Sequence, residues 1–241
     1  MTTPAGVPGL IASFPAAGSG GVTLEQLEKL AARRGMTYLE MSNPAAADAF
    51  LCGEWLAKSA GEIQRAVERV APSRVILVGH CMGGLSAIRL SYALRPDLAR
   101  PVRVLVVNTP CPDPAGRIPT MSHFSDAEIA AVLAHDGFPQ ELLDDEDMLA
   151  EIADGLRQDA TVADRIAEWL SSADDVESLN VLATRGDPFI RPEDCAAWRN
   201  RVSGEFTLTI VNGGHAIDAT LIGVLERAID AVIASAQAEQ A

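Results

Sequence analysis

Cysteine, basic residues and aromatics are all scarce in this 241-residue chain, and each shortage closes off a class of protein. The four cysteines (Cys52, Cys81, Cys111 and Cys195) show neither the paired spacing of a metal site nor the density of a disulfide framework. A reduced, cytoplasmic protein with no metal is therefore expected. Lysine and arginine number 19 against 33 aspartates and glutamates, a formal charge of −14. That balance repels nucleic acid and anionic membrane surfaces at long range, so neither is expected as a partner. No run reaches the ~18 apolar residues of a membrane span. The opening Met1-Thr2-Thr3-Pro4-Ala5-Gly6 lacks the basic segment of a secretory signal. Internal repeats and low-complexity tracts are missing too, apart from the Ala/Gln-rich end from Ala234 to Ala241, read as a frayed helix end.

What is present is an ordinary globular composition, 48% apolar and 22% charged, at a length that suits one large α/β domain. A monomer is expected. Buried-strand patterns recur at Gly9 to Phe14, Met36 to Met41, Arg74 to Val78, Val102 to Val107, Leu179 to Thr184 and Phe206 to Val211. Helical patterns fill the gaps. Thr23-Leu24-Glu25-Gln26 reads as a capping box for a helix closed by Gly35. A single long helix is expected from Ala47 to Ala71, others from Leu85 to Arg95 and Pro192 to Val202, and a last one from Ile217 to Ala234. Strands alternating with helices argue a parallel sheet covered on both faces.

The alternation lapses between residues 111 and 175, where only short helices are expected: Ile129 to His135 behind a Ser125-Asp126-Ala127-Glu128 capping box, then Met148 to Leu156 and Thr161 to Leu170. An all-helical insertion after a strand of such a sheet reads as a lid over the strands' carboxyl ends; the competing reading is extra core with no gating role. The expected organisation is a core of residues 1–110 and 176–241 with a helical insertion at 111–175.

Chemistry concentrates where Arg74-Val75-Ile76-Leu77-Val78 runs into Gly79-His80-Cys81-Met82-Gly83-Gly84. A strand ending in G-x-C-x-G just before a helix is the nucleophile elbow of α/β-hydrolases, with a thiol in place of the usual hydroxyl. The glycines leave room for a sharp turn that aims Cys81 into open space at a helix N-terminus, which favours a thiolate and a developing oxyanion. The competing reading is a small buried hydrophobe. Two partners follow at later strand ends. Nucleophile, acid and histidine come in the order Cys81, Asp187, His215, that of α/β-hydrolases. His215 would take or hold the thiol proton, and Asp187 would orient the ring. The N–H of Met82 and a donor from the Ala16/Ala17 turn would hold the oxyanion. That turn, Pro15-Ala16-Ala17-Gly18-Ser19-Gly20-Gly21, is otherwise a plain glycine-rich loop. His80 reads as a packed residue, His123 and His135 as exposed insertion residues, and Cys111 as a bystander. Asp113 is the second choice of acid; Asp218 is too near His215 in sequence.

With these residues in place the chain resembles a type II thioesterase of polyketide and nonribosomal peptide assembly lines. The likeness rests on Phe14-Pro15-Ala16-Ala17-Gly18, the Cys81 elbow, Phe124-Ser125-Asp126-Ala127-Glu128-Ile129, Gly137-Phe138-Pro139-Gln140-Glu141-Leu142-Leu143, Gly186-Asp187-Pro188 and Gly213-Gly214-His215. It implies an α/β-hydrolase fold and hydrolysis of acyl groups from the phosphopantetheine arm of an acyl or peptidyl carrier protein, with no metal or organic cofactor. Two departures stand out: Cys81 replaces serine, and Asn43-Pro44-Ala45-Ala46 replaces a Pro-Gly-Arg-Gly-like segment. Acyl transfer from a thioester to cysteine is nearly thermoneutral, so ring closure or transfer to another nucleophile is the alternative to hydrolysis. Tetramate- and pyridone-forming Dieckmann cyclases are similar, but carry their acid after the strand that here ends at Asn108, where this chain has no carboxylate. A non-catalytic carrier-binding relative is a third reading. Carrier proteins of such systems are acidic, so Arg185, Arg191, Arg199 and Arg201 are the expected docking patch, against scattered solvated charges as the competing reading.

Overall fold

The computed structural model of the protein describes residues 9–18, 24–96, 98, 100–112, 121–135 and 138–238. Thr23 of the expected capping box, Gly20, Gly21, Gly137, Asp113 and the side chain of His135 lie outside the described residues. Six strands, β1 (Leu10–Phe14), β2 (Thr37–Glu40), β3 (Val75–His80), β4 (Val102–Val107), β5 (Leu179–Thr184) and β6 (Phe206–Val211), form one sheet in the order β2-β1-β3-β4-β5-β6. Every pairing is parallel. The strands are near-continuous apolar runs because both faces are covered. Along β3, Val75 and Leu77 enter one core while Ile76 and Val78 enter the other.

One face is covered by α1 (Leu24–Arg33) and α9 (Ala219–Ala238), through Leu27, Leu30, Leu221 and Leu225. The other carries α3 (Glu54–Val70), α4 (Met82–Leu94) and the second half of α7 (Glu146–Ser172), through Trp55, Ile63, Ile88, Val162 and Leu170. Buried on nearly every side, α4 runs under α7 and out from the carboxyl end of β3. The strand order reverses between β1 and β3, so the turn after β1 and the start of α4 flank the crevice where such sheets place their ligands.

Three helix expectations are corrected. The segment 47–71 is two helices, α2 (Ala47–Leu51) and α3, because Gly53 takes a left-handed conformation at φ 78° and turns the chain between them. Conversely, 148–156 and 161–170 belong to one 27-residue helix, α7, capped by the Asp145 carboxylate, which accepts from the N–H groups of Asp147 and Met148. The helix expected from Pro192 to Val202 is α8 (Pro192–Ala196) followed by a 3-10 turn, Ala197–Arg201. The short helices α5 (Asp126–His135) and α6 (Gln140–Leu143) complete the insertion. Ser125 and Glu128 bond reciprocally at the start of α5, as their spacing requires. Ile129, Ala153 and Leu156 form a separate small apolar cluster there. Among the described residues no helix is long and apolar enough to cross a membrane.

Arg201 closes the C-terminal end of α7. Its guanidinium donates to the carbonyls of Leu170 (2.7 Å), Ala173 (2.9 Å) and Ser171 (3.5 Å) and faces Asp175 at 3.5 Å. The Leu170 carbonyl also accepts the Ala173 N–H at 3.2 Å, so Arg201 reinforces the cap of a helix end whose last carbonyls lack a following turn. Replacing Arg201 by Met is expected to cost about 1–3 kcal/mol of stability, measured by urea unfolding, because part-buried acceptors and a carboxylate lose their partner together.

Candidate active site

The site grows out of two glycines that permit backbones to meet. A Cβ on Gly79 would lie 2.3 Å from the carbonyl oxygen of Gly83, and one on Gly83 would lie 2.4 Å from the carbonyl oxygens of both Phe14 and Pro15. Only bare backbone fits, so the first turn of α4 presses against both β3 and the turn after β1. Between the glycines, Cys81 has φ 52° and ψ −117°, a conformation that side-chain-bearing residues rarely adopt. Hydrogen bonds hold it there. Its N–H donates to Val107 (2.9 Å), and its carbonyl accepts from the Gly84 N–H (3.0 Å) and the Thr109 hydroxyl (3.1 Å). The thiol is half-buried and lines a cavity.

Asp187 and His215 come from the ends of β5 and β6. The Asp187 Oδ2 lies 2.7 Å from Nδ1 of His215, and Oδ1 accepts from the N–H groups of Phe189 (2.8 Å) and Ile190 (2.9 Å). Its side chain is completely buried. Burial pushes the Asp187 carboxyl up, yet the His215 hydrogen bond and charge and the two backbone donors outweigh it, and the net shift is downward. For His215, burial works against the charged form, but the Asp187 hydrogen bond and charge, with the nearby Cys81 sulfur, win and hold its pKa well above the usual imidazole range. Asp187 is thus bonded to His215, and His215 lines the same cavity as Cys81.

His80 shows what the carboxylate contributes. Its ring centre lies 4.7 Å from that of His215, yet neither of its nitrogens has a hydrogen-bond partner among the described residues. Burial therefore dominates and takes its pKa down to about 3, so it packs as a neutral ring behind the charged one. Phe189 meets another side of His215 edge-on at 5.7 Å.

Three residues singled out by no motif hold the assembly. Asn108, completely buried with φ 45° at the end of β4, accepts from Thr184 N–H (2.9 Å) and donates to the carbonyls of His215 (3.3 Å) and Gly214 (3.4 Å). The Thr184 hydroxyl donates to Gly214 (2.8 Å), and Thr109 holds the elbow carbonyl as described. The one available signal was a polar Asn-Thr pair closing an apolar strand. Met82 is buried at the head of α4, with Ala17 beside it on the cavity wall and Ala16 buried in the same turn. The Gly18 N–H is taken by the Asp159 carboxylate of α7 at 2.9 Å.

The cavity measures about 710 Å³ and runs from Cys81 and His215 beneath α7. Its α7 wall carries Ala160, Ala163 and Ala167 beside Asp164, Glu168 and Ser171, and with Leu85, Phe124 and Phe189 the surface is mostly apolar. Cys111 is buried on its rim, His123 is exposed, and Asp218 caps α9 through the Leu221 N–H. Among the described residues no group of three or more His, Cys, Asp or Glu is placed to hold a metal ion. Of the four arginines expected at the docking patch, Arg185, Arg191 and Arg199 are exposed and Arg201 is half-buried. Arg201 is taken up by the end of α7 and Arg191 pairs with Asp194 (2.9 Å), while Arg185 and Arg199, the latter over the Phe206 ring (4.8 Å), stay exposed without a charge partner among the described residues.

An elbow residue at a strand-to-helix turn, with a carboxylate–imidazole pair on later strand ends of a parallel sheet, defines an α/β-hydrolase-like protein. The chain belongs to the alpha/beta hydrolase family, whose model it matches over residues 9–234. No curated protein matches it. Solved structures of similar fold include the RedJ thioesterase from the prodiginine biosynthetic pathway of Streptomyces coelicolor, at 22% identity and TM-score 0.62 over 93% of this chain and 87% of that one. Human thioesterase 2 is similar at 16% identity and TM-score 0.68, over 95% of this chain and 97% of that one. YbtT, the type II thioesterase of the yersiniabactin NRPS/PKS pathway, is similar at 17% identity and TM-score 0.67, over 97% and 94%.

Because the Asp187 hydrogen bond is the largest of the influences that offset burial at His215, Asp187→Asn is expected to move the His215 titration down by about one to three pH units, followed by imidazole NMR. The raised native value means that protonated His215 adds stability that is whole below pH ~6.5 and fades as pH climbs through the native value. In Asp187→Asn that contribution shrinks.

Proposed function

We propose that the protein is a thioesterase-like enzyme that accepts an acyl group from the phosphopantetheine thioester of a carrier protein onto Cys81 and then releases it. The observation that carries this reading is the contact of Cys81 with a carboxylate-paired imidazole at the mouth of an apolar cavity of about 710 Å³. The similar folds named above, two of them thioesterases of natural-product pathways, point the same way.

The chemistry follows from the parts. The Cys81 thiolate attacks the thioester carbonyl, and the N–H of Met82 with a donor of the Ala16/Ala17 turn holds the oxyanion. The tetrahedral intermediate collapses with cleavage of the C–S bond to pantetheine, and the His215 imidazolium protonates the departing thiolate. Water then attacks the acyl-cysteine while His215 takes its proton. Collapse expels the Cys81 thiolate, releases the acid and restores the ion pair. Asp187 keeps the proton-bearing Nδ1 fixed and the positive ring stabilised throughout. The insertion at 111–175 acts as the lid of this cavity, and α7 supplies its ceiling.

The sulfur nucleophile favours a second outcome for the release step. A thioester on Cys81 stays activated, so an amine, hydroxyl or carbanion of the acyl chain can replace water and leave as a lactam, lactone or β-dicarbonyl ring. The acid placed after β5 instead of β4, where Asn108 stands, supports the hydrolase layout over the Dieckmann one.

Incubation with an acyl-carrier substrate and intact-protein mass measurement is expected to show an acyl adduct that Cys81→Ala lacks. Free acid among the products marks hydrolysis; a cyclised product marks transfer. Carrier binding with neither adduct nor turnover would reduce the protein to a non-catalytic partner of the carrier.

A further inference from the structure

Farther along the groove between α4 and α7 lies a second cavity of about 470 Å³, walled by Leu56, Arg89, Tyr92, Trp169, Ser172 and Asp174. Arg89 is half-buried in it, with its guanidinium carbon 3.9 Å from the centre of the Trp169 ring. Its Nε is shut away from solvent with no hydrogen-bond partner, and burial is the sole influence on its ionisation, a downward one that no carboxylate offsets. Other part-buried arginines have carboxylate partners: Arg34 with Asp230, Arg157 with Asp126 and Asp154, Arg201 with Asp175. An unpaired donor on a desolvated cation is costly and marks a missing partner.

The neighbouring structure does not supply that partner. The terminal carbonyls of α7 are already taken by Arg201. The Tyr92 hydroxyl donates to the Asp174 carbonyl, while the exposed Asp174 carboxylate sits at the rim. Arg95 adds to the positive field: it stands 5.8 Å over the Tyr92 ring, 3.6 Å from Glu177, with Nε and Nη2 buried and lacking hydrogen bonds. In a chain with 33 acidic and 19 basic residues, the pocket is walled by a cation that lacks an anion.

We infer that this pocket is a binding site for a single oxyanion group, a phosphate or carboxylate, gripped by the terminal Nη1 and Nη2 edge of Arg89 while Trp169 covers the guanidinium face. Indole stacking leaves that edge free, and its fork geometry matches two oxygens at once. The rim carboxylate of Asp174 disfavours ligands with several charges. Two sources share this chemistry. A free small anion is one; the phosphate of a bound pantetheine arm is the other, since Arg89 lies ~12 Å along α4 from Cys81 at 1.5 Å per residue. The site does not depend on Cys81 being catalytic.

Trp169 is the reporter, because the other tryptophans, Trp55 and Trp198, are buried. The full chain is titrated with inorganic phosphate, acetate and phosphopantetheine at ionic strength held constant with chloride, and tryptophan emission is followed. A saturable change with a half-point of millimolar or lower is expected, weakened at least tenfold in Arg89→Met and at least threefold in Arg89→Lys. Saturation by phosphate or acetate assigns a free anion; saturation by phosphopantetheine alone assigns the arm. No saturable change with any of the three overturns the inference, as does an unchanged midpoint in the variants. Should Arg89→Met fail to fold, the Arg89→Lys midpoint decides.

Discussion

The contact on which the rest depends is backbone against backbone. The first turn of α4 touches the carbonyls of Phe14 and Pro15 because Gly83 has no side chain to hold them apart. That approach sets the nucleophile, the helix N-terminus and the β1 turn around one point. It leaves Cys81 in a positive-φ conformation that costs on the order of 1–3 kcal/mol. Its hydrogen bonds to Val107, Gly84 and Thr109 are three interactions of comparable worth, enough to keep the turn in one state. The strain is local, and its support comes from the end of β4 and the first turn of α4.

His80 and His215 form a controlled comparison within one molecule. Both rings are largely buried, and they lie against each other. One has a buried carboxylate at 2.7 Å and a thiol at its other side; the other has neither. The first is driven toward the charged form and the second toward the neutral form, so burial alone predicts neither state. A neutral His80 also avoids a second positive charge beside His215, which would oppose the first. Placement of one carboxylate and one sulfur beside His215, and of neither beside His80, decides which imidazole is driven toward the charged form.

Much of this was legible from residue patterns. All six strands stand where apolar runs bounded by Gly, Pro and Asn put them, and Cys81, Asp187 and His215 stand past their ends. The helices were less transparent. Residues 157–160 looked like a polar break, but Gln158 donates to the Ala45 carbonyl and Asp159 accepts from Gly18, so these polar side chains are where α7 grips the core. At Gly53 the reverse held: apolar spacing carried on through a residue whose backbone turns left-handed. Clustering of arginines in sequence did not tell which stay unpaired either: Arg191 is paired by Asp194 three residues on, and Arg201 by the end of α7, which only folding brings up.

Local order thus determined the alternating strands and helices, the sharp turn at Cys81 and the succession of nucleophile, acid and histidine, because each depends on nearest neighbours and spacing along the chain. Tertiary structure alone decided which side chains meet. Asn108 reaching the His215 loop, α7 roofing the cavity and Arg89 left facing Trp169 without an anion all join residues far apart in the chain. Such pairings carry no periodic signature. They exist only once the sheet has closed the distance and burial has stripped away the water that would otherwise satisfy each group.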